Sequence, residues 1–128
     1  MTDTQTNKKV LIIEDEAPLR GVLSDKLTEA GFNVLVAGNG KEGLEVALRE
    51  KPALILLDII MPIMDGMPML KQLRETADGK DVKVIFLTNL SDIKSLADAM
   101  EQGSYVYLVK ADWTIEAIIE KVKDLLRF

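Results

Sequence analysis

The sequence predicts an α/β domain built on a parallel sheet with helices packed on both faces. Two observations lead there. Five strand-like runs alternate with five stretches of helical apolar spacing, joined by short connections. The longest run, Leu54-Ile-Leu-Leu-Asp58, is apolar without alternation, as expected of a strand covered on both sides. Short βα connections call for parallel pairing, and right-handed crossovers then restrict the chain to a few doubly wound arrangements.

Taken in order, Met1 to Lys9 is polar and reads as a disordered N-terminal tail, with one domain over residues 10–128. Val10 to Ile13 is a β-branched run ending in Glu14-Asp15-Glu16. A helix follows, with Asp15 as N-cap, Pro18 in the first turn and Leu19, Val22, Leu23, Leu27 and Ala30 along one side, stopped at Gly31. Phe32 to Ala37 is the second strand. Asn39 and Glu42 form a capping box for a helix with Leu44, Ala47 and Leu48 inward, closed by Pro52.

Beyond the Asp58 strand, Asp65 is the expected cap of a third helix carrying Met69, Leu70 and Leu73. Val82 to Leu87 is the fourth strand and ends at Thr88. Ser91 then caps a helix with Ile93, Leu96, Ala97 and Met100 on one side, stopped at Gly103. Tyr105 to Val109 is the fifth strand and ends at Lys110. The last helix carries Ile115, Ile118, Ile119, Val122, Leu125 and Leu126 on one face. The methionines from Met61 to Met69 read as core and turn filler, and Trp113 and Phe128 as packing for the last helix.

Composition narrows the chemistry. The 128 residues suit one domain, and 48% hydrophobic content is enough for a core. A net charge of −5 without any basic run argues against nucleic acid or an anionic membrane surface as partner. The apolar stretch around Asp58 is too short to span a bilayer. Without cysteine there are no disulfides or thiolate metal sites, and without histidine there are no His-based triads or zinc sites. The expectation is a cytoplasmic protein whose reactive groups are carboxylates, hydroxyls and lysines.

In a doubly wound sheet all strand carboxyl ends lie on one edge, where ligands bind. Glu14, Asp15, Asp58, Thr88 and Lys110 therefore gather at one mouth. Taken alone, Asp58 reads equally well as a turn cap, Glu14-Asp15-Glu16 as an acidic helix start, Thr88 as a strand-end cap and Lys110 as a surface lysine. Four strands ending in complementary groups at one edge is hard to ascribe to chance. Close carboxylates repel unless a cation sits among them, and hard oxygen donors favour magnesium, or manganese, over zinc or copper. Magnesium commonly bridges protein to phosphoryl groups, so phosphoryl transfer to Asp58 heads the list, with Thr88 and Lys110 binding the transferred oxygens.

The motif Asp58-Ile-Ile-Met-Pro-Ile-Met-Asp-Gly66, with Glu14-Asp15, Thr88 and Lys110, resembles the receiver domain of two-component response regulators, in its stand-alone, chemotaxis-regulator-like form. The similarity spans Lys9 to the C-terminus. The resemblance implies the flavodoxin-like order 2-1-3-4-5. It also implies that Glu14, Asp15, Asp58 and the backbone carbonyl of Ile60 hold Mg2+. Asp58 is then the phosphoacceptor, Thr88 the switch hydroxyl, Lys110 the phosphate-binding lysine and Tyr107 the aromatic that changes rotamer. The donor would be a sensor histidine kinase or a histidine phosphotransfer protein. Phosphorylation would reshape the surface of the fourth helix, fifth strand and fifth helix, and the protein would be a monomer or a weak phosphorylation-dependent dimer. It would catalyse its own phosphorylation and dephosphorylation without being a turnover enzyme on an external substrate.

The alternatives are a phosphatase with an aspartyl-phosphate intermediate, opposed by Ile60 where such enzymes carry a second acid, and a pseudo-receiver, opposed by the intact acids, hydroxyl and lysine. The chain ends at Phe128 without an effector domain, which suggests a stand-alone switch, though an excised receiver fits equally. Two departures from the family pattern stand out. Ala111 follows Lys110 where receivers usually have a proline in a cis bond; a cis bond before a non-proline residue costs about 2.5–4 kcal/mol. Either a trans bond with a rearranged loop or a strained cis bond is expected. Ile60 and Leu90 flank the expected path of the attacking water and are apolar, which predicts slow autodephosphorylation.

Overall fold

In a computed structural model that describes residues 8–88 and 106–126, the apolar runs form five parallel strands. These are β1 (Lys9–Ile13), β2 (Asn33–Ala37), β3 (Leu54–Asp58), β4 (Lys83–Thr88) and β5 (Val106–Val109), hydrogen-bonded in the order β2-β1-β3-β4-β5. The order is the expected flavodoxin-like one. Helices α1 (Ala17–Glu29), α2 (Gly40–Glu50) and α3 (Gly66–Arg74) and a C-terminal helix (Ile115–Leu125) cover the sheet. The helix expected from Ser91 to Gly103, and Phe128, lie outside the described residues, as do residues 1–7. β1 takes in Lys9, the last residue of the expected tail.

Successive side chains of a strand point to opposite faces, and here both faces are apolar. Leu11, Ile13, Ile55, Leu57, Val84 and Phe86 pack toward one face with residues of α2 and α3. Their neighbours Val10, Ile12, Leu54, Leu56, Ile85 and Leu87 pack toward the other with α1 and the C-terminal helix. Every residue of the central β3 is buried. Each such aliphatic side chain contributes roughly 1.5–3 kcal/mol from burial, so the strand that carries Asp58 is firmly anchored. Met61 and Met69 are core residues, with Met64 and Met67 packed against them, as expected.

Helix faces are narrower than the apolar spacing suggested. On α1 the inward stripe is Leu19, Leu23, Leu27 and Ala30, and Val22, about 100° around the helix from Leu23, is 43% exposed. On α2, Gly43 lies against Ile13, where a Cβ would overlap the isoleucine side chain. The buried set of α2 is Gly40, Gly43, Val46 and Ala47, with Leu44 partly buried against the same core and Leu48 outward. Trp113, just before the C-terminal helix, is 37% exposed and belongs to neither core cluster.

The caps differ in a similar way. Asn39 accepts the N–H of Glu42 at 2.9 Å, as expected for α2. α1 is instead preceded by Glu16 rather than Asp15, with no side-chain cap; the Glu16 N–H donates to Glu14 Oε2 at 3.1 Å, and the Glu16 carboxylate accepts from Lys110. Asp65 occupies the N-cap position of α3 but leaves the helix uncapped; its Oδ1 accepts the N–H of Met61 at 2.9 Å and braces the loop after β3. The C-terminal helix is capped by Thr114, whose hydroxyl accepts the Ala117 N–H at 3.1 Å.

The same loop returns so closely that the Gly66 N–H donates to the Ile59 carbonyl at 2.8 Å, and a Cβ on Gly66 would overlap the Asp58 carbonyl oxygen. Gly66→Ala should therefore lower stability by about 1–3 kcal/mol through enforced backbone displacement. A reduced urea midpoint at unchanged slope is the expected result; an unchanged midpoint would refute the tight return.

Candidate functional site

Register alone brings the chemistry together. Ile13 pairs with Leu57, which places Glu14 and Asp58 side by side as β1 and β3 end. Asp58 pairs with Leu87 and Thr88 with Val109, so Thr88 closes β4 next to Asp58 and Lys110 follows directly on β5. The backbone thus puts Glu14, Asp58, Thr88 and Lys110 on one edge, as predicted. Tyr107 pairs with Phe86 within β5. The side chains of Thr88 and Tyr107 and all of Leu90 lie outside the described residues.

The two acids are buried as deeply as core aliphatics: Glu14 is 0% and Asp58 3% exposed. Lys110 reaches over them. Its Nζ lies 3.1 Å from Asp58 Oδ2, 3.0 Å from Glu14 Oε1 and 3.1 Å from Glu16 Oε2. The Glu14 contact is an ion pair, and Glu14 Oε1 and Asp58 Oδ1 are both buried with no hydrogen-bond partner. Glu14 is held from behind: its Oε2 accepts the Glu16 N–H, and its carbonyl accepts from the Arg20 guanidinium at 2.7 Å.

Burial pushes the Asp58 carboxyl up, the neighbouring Glu14 charge adds to this, and Lys110 only partly opposes them, leaving Asp58 at about 7. For Lys110 burial works downward. Its contacts with Glu14, Asp58 and Glu16 outweigh that and hold the ammonium above the ordinary lysine range, so it stays charged.

Glu14, Asp15 and Asp58 each offer an oxygen within 4.8 Å of the others. Glu14, Glu16 and Asp58 share one ammonium, and Asp15 adds a further carboxylate beside the buried pair. Buried oxygens without partners, an excess of negative charge and a donor set of hard oxygens together fit a divalent cation such as magnesium. Ile60 sits two residues beyond Asp58 in the loop after β3, its side chain half exposed. No cis peptide occurs among the described residues, so Lys110-Ala111 is trans, and Lys110–Asp112 form a short 3-10 turn. Of the two expected outcomes, this is the trans one, and Lys110 still reaches the acids.

Three contacts were not assigned from the sequence. The acidic run signals Glu16 only as one of three acids without a distinct role, and sequence pattern does not mark Arg20 and Asp65 as supports of the site. An arginine one helical turn beyond an acidic strand end is the signal for Arg20. The bracing by Asp65 depends on a loop path that no local pattern encodes.

The raised Asp58 pKa has a defined consequence for stability. The folded protein holds a proton on Asp58 that the unfolded chain releases near pH 4, so this group's contribution is fully present below about pH 4 and is lost as pH rises through about 7. In metal-free buffer Asp58→Asn should match the wild type near pH 4 and exceed it by on the order of 1–3 kcal/mol above pH 7. Denaturant titrations of both proteins across that range test this, and parallel curves would refute it.

Comparison with known proteins agrees with this geometry. Residues 10–123 match the family model described as the response regulator receiver domain. The chain is 35% identical over 120 residues to the probable transcriptional regulator ycf27 of Porphyridium aerugineum, covering 94% of this chain and 48% of that protein. It is 37% identical over 119 residues to the probable transcriptional regulatory protein SilR of Salmonella typhimurium, covering 93% and 51%. The chain thus spans about half the length of these curated relatives. Among solved structures, the receiver domain of Francisella response regulator 1452 aligns with a TM-score of 0.80 at 31% identity, covering 93% of this chain and 96% of that one. Chemotaxis response regulator CheY4 of Vibrio cholerae aligns at 0.84 and 27%, covering 94% and 99%. With a family model spanning nearly all of it and the acidic site at the mouth of its sheet, the chain belongs to the response regulator receiver domain family.

Proposed function

We propose that this domain is the phosphoacceptor switch of a two-component system or phosphorelay, and that Asp58 takes a phosphoryl group from a phosphohistidine in a magnesium-dependent step. The observation that carries this is the buried Asp58 carboxylate with one oxygen on Lys110 and the other without a partner. Glu14, Asp15, Asp58 and the Ile60 carbonyl would hold the cation. When bound, magnesium supplies positive charge that offsets the developing charge on the transferred oxygens.

The remaining work falls to the chain. An Asp58 carboxylate oxygen forms a bond to phosphorus as the P–N bond of the phosphohistidine breaks, and the imidazole leaves with that electron pair. Burial of Asp58 keeps competing water away from its oxygens, and Lys110, charged and mobile on a flexible stem, follows the transferred oxygens. Thr88, closing β4 beside Asp58, is the proposed hydroxyl that turns toward the phosphoryl group, and Tyr107 the aromatic that responds. The surface around the fifth strand and its flanking helices then shifts population between two states. Hydrolysis of the acyl phosphate resets the switch, so the domain acts on itself and turns over no external substrate.

The donor is a sensor histidine kinase or a histidine phosphotransfer protein. Relatives about twice as long are named as transcriptional regulators, and an output of that kind would reside in sequence beyond this domain. No described helix is long and apolar enough to cross a membrane.

Incubation with a small phosphodonor and magnesium should place a single acid-labile phosphoryl group on the protein, absent in Asp58→Ala. Lys110→Met should slow incorporation by about a hundredfold while leaving Asp58 the acceptor. Sustained release of phosphate from an external substrate would indicate a phosphatase, and no incorporation a pseudo-receiver. A second assay addresses lifetime: replacing Ile60 and Leu90 together by asparagine should shorten the half-life of the phosphorylated form severalfold. An unchanged half-life would remove them as the cause of slow release.

A further inference from the structure

Lys110 bridges more than the buried pair. Its third partner, Glu16, is 58% exposed in its side chain and lies at the rim, immediately before α1. Glu16 makes no side-chain cap for that helix. Its own N–H is tied to Glu14 Oε2, which fixes its backbone to the same cluster. One carboxylate of the acidic triplet thus faces the lysine from the solvent side while Asp58 and Glu14 face it from the interior.

We propose that Glu16 is a positioning residue that retains Lys110 at the mouth when Asp58 and Glu14 turn to other partners, an inference that rests on the phosphoacceptor reading. In the resting site the ammonium shares three carboxylates at 3.0–3.1 Å. A divalent cation would draw on the unpartnered buried oxygens of Asp58 and Glu14, leaving Asp58 Oδ2 to Lys110 but taking Glu14 Oε1 from it and offsetting part of the charge that attracts the ammonium. Lys110 is only 14% exposed and cannot regain full hydration where it stands. Glu16 lies outside the group of acids that converge within 4.8 Å and is therefore free to keep its contact. Without it, the resting lysine still has two carboxylate partners, whereas in the cation-loaded site it would retain only Asp58 Oδ2, on an acid whose charge the cation shares. Loss of Glu16 therefore penalises the loaded state more than the resting one.

The test is magnesium binding measured by calorimetry on the unphosphorylated protein. Glu16→Gln should weaken magnesium about two- to fivefold, the size of one partly exposed ion pair. Glu16→Asp should recover part of the loss, and Glu16→Gln should add nothing in a Lys110→Met background. Lys110→Gln provides the same background with a polar side chain should the methionine variant unfold. An equal loss in both backgrounds would mean that Glu16 acts only through its general field, and an unchanged affinity that it does not act at all; either overturns the inference alone. Wild-type protein that binds no magnesium, or binds it undiminished in Asp58→Asn, would overturn the phosphoacceptor reading and this inference with it.

Discussion

Everything at the mouth of this sheet depends on keeping the Asp58 charge in a place that water barely reaches. Taking an ionised carboxylate out of water is costly, and attraction to a partner repays the cost only when geometry is good. Here the compensation comes from Lys110, 52 residues further on, and it is incomplete: Glu14, equally buried, pulls the other way, and one Asp58 oxygen has no partner. The outcome is a carboxyl poised at about 7 rather than one locked as an anion. A site in this condition has a standing affinity for additional positive charge.

Maintaining that imbalance requires a rigid scaffold. β3 is sealed on both faces by aliphatic side chains, so its end cannot drift to relieve the repulsion between Asp58 and Glu14. Behind it, the loop is pinned by Asp65 to Met61 and by the Gly66 N–H to Ile59. Glu14 is held by the Glu16 N–H and by Arg20. Strain has been tolerated at this loop as well: Ile63, a β-branched residue, has φ 67 and is 77% exposed. β-branched residues rarely occupy that region, and such outliers concentrate near functional loops.

Much of this is legible in the sequence. Apolar runs closed by Glu14, Asp58, Thr88 and Lys110 indicated strands ending at a common edge, and the pairing register bears that out residue by residue. The apolar faces of α3 and the C-terminal helix were also readable, since their periodicity is unbroken. Where the reading failed, contacts distant in sequence decided the matter. Val22 and Leu48 fit a helical stripe by spacing, but the face that packs on the sheet is narrower than that stripe and leaves both exposed. Asp15 and Asp65 have the right chemistry for caps, yet Glu16 precedes α1 and the Asp65 side chain went to Met61 instead.

What the sequence determined by itself was the inventory of the site and the edge on which it lies, because strand period, crossover handedness and residue chemistry are local properties. Tertiary structure alone decided how charge is distributed there. Depth of burial sets the Asp58 pKa, and the reach of Lys110 across a trans bond to Ala111 joins three acids from two other parts of the chain. Electrostatic energies depend on distance and on exclusion of water, and neither quantity exists until the strands have packed.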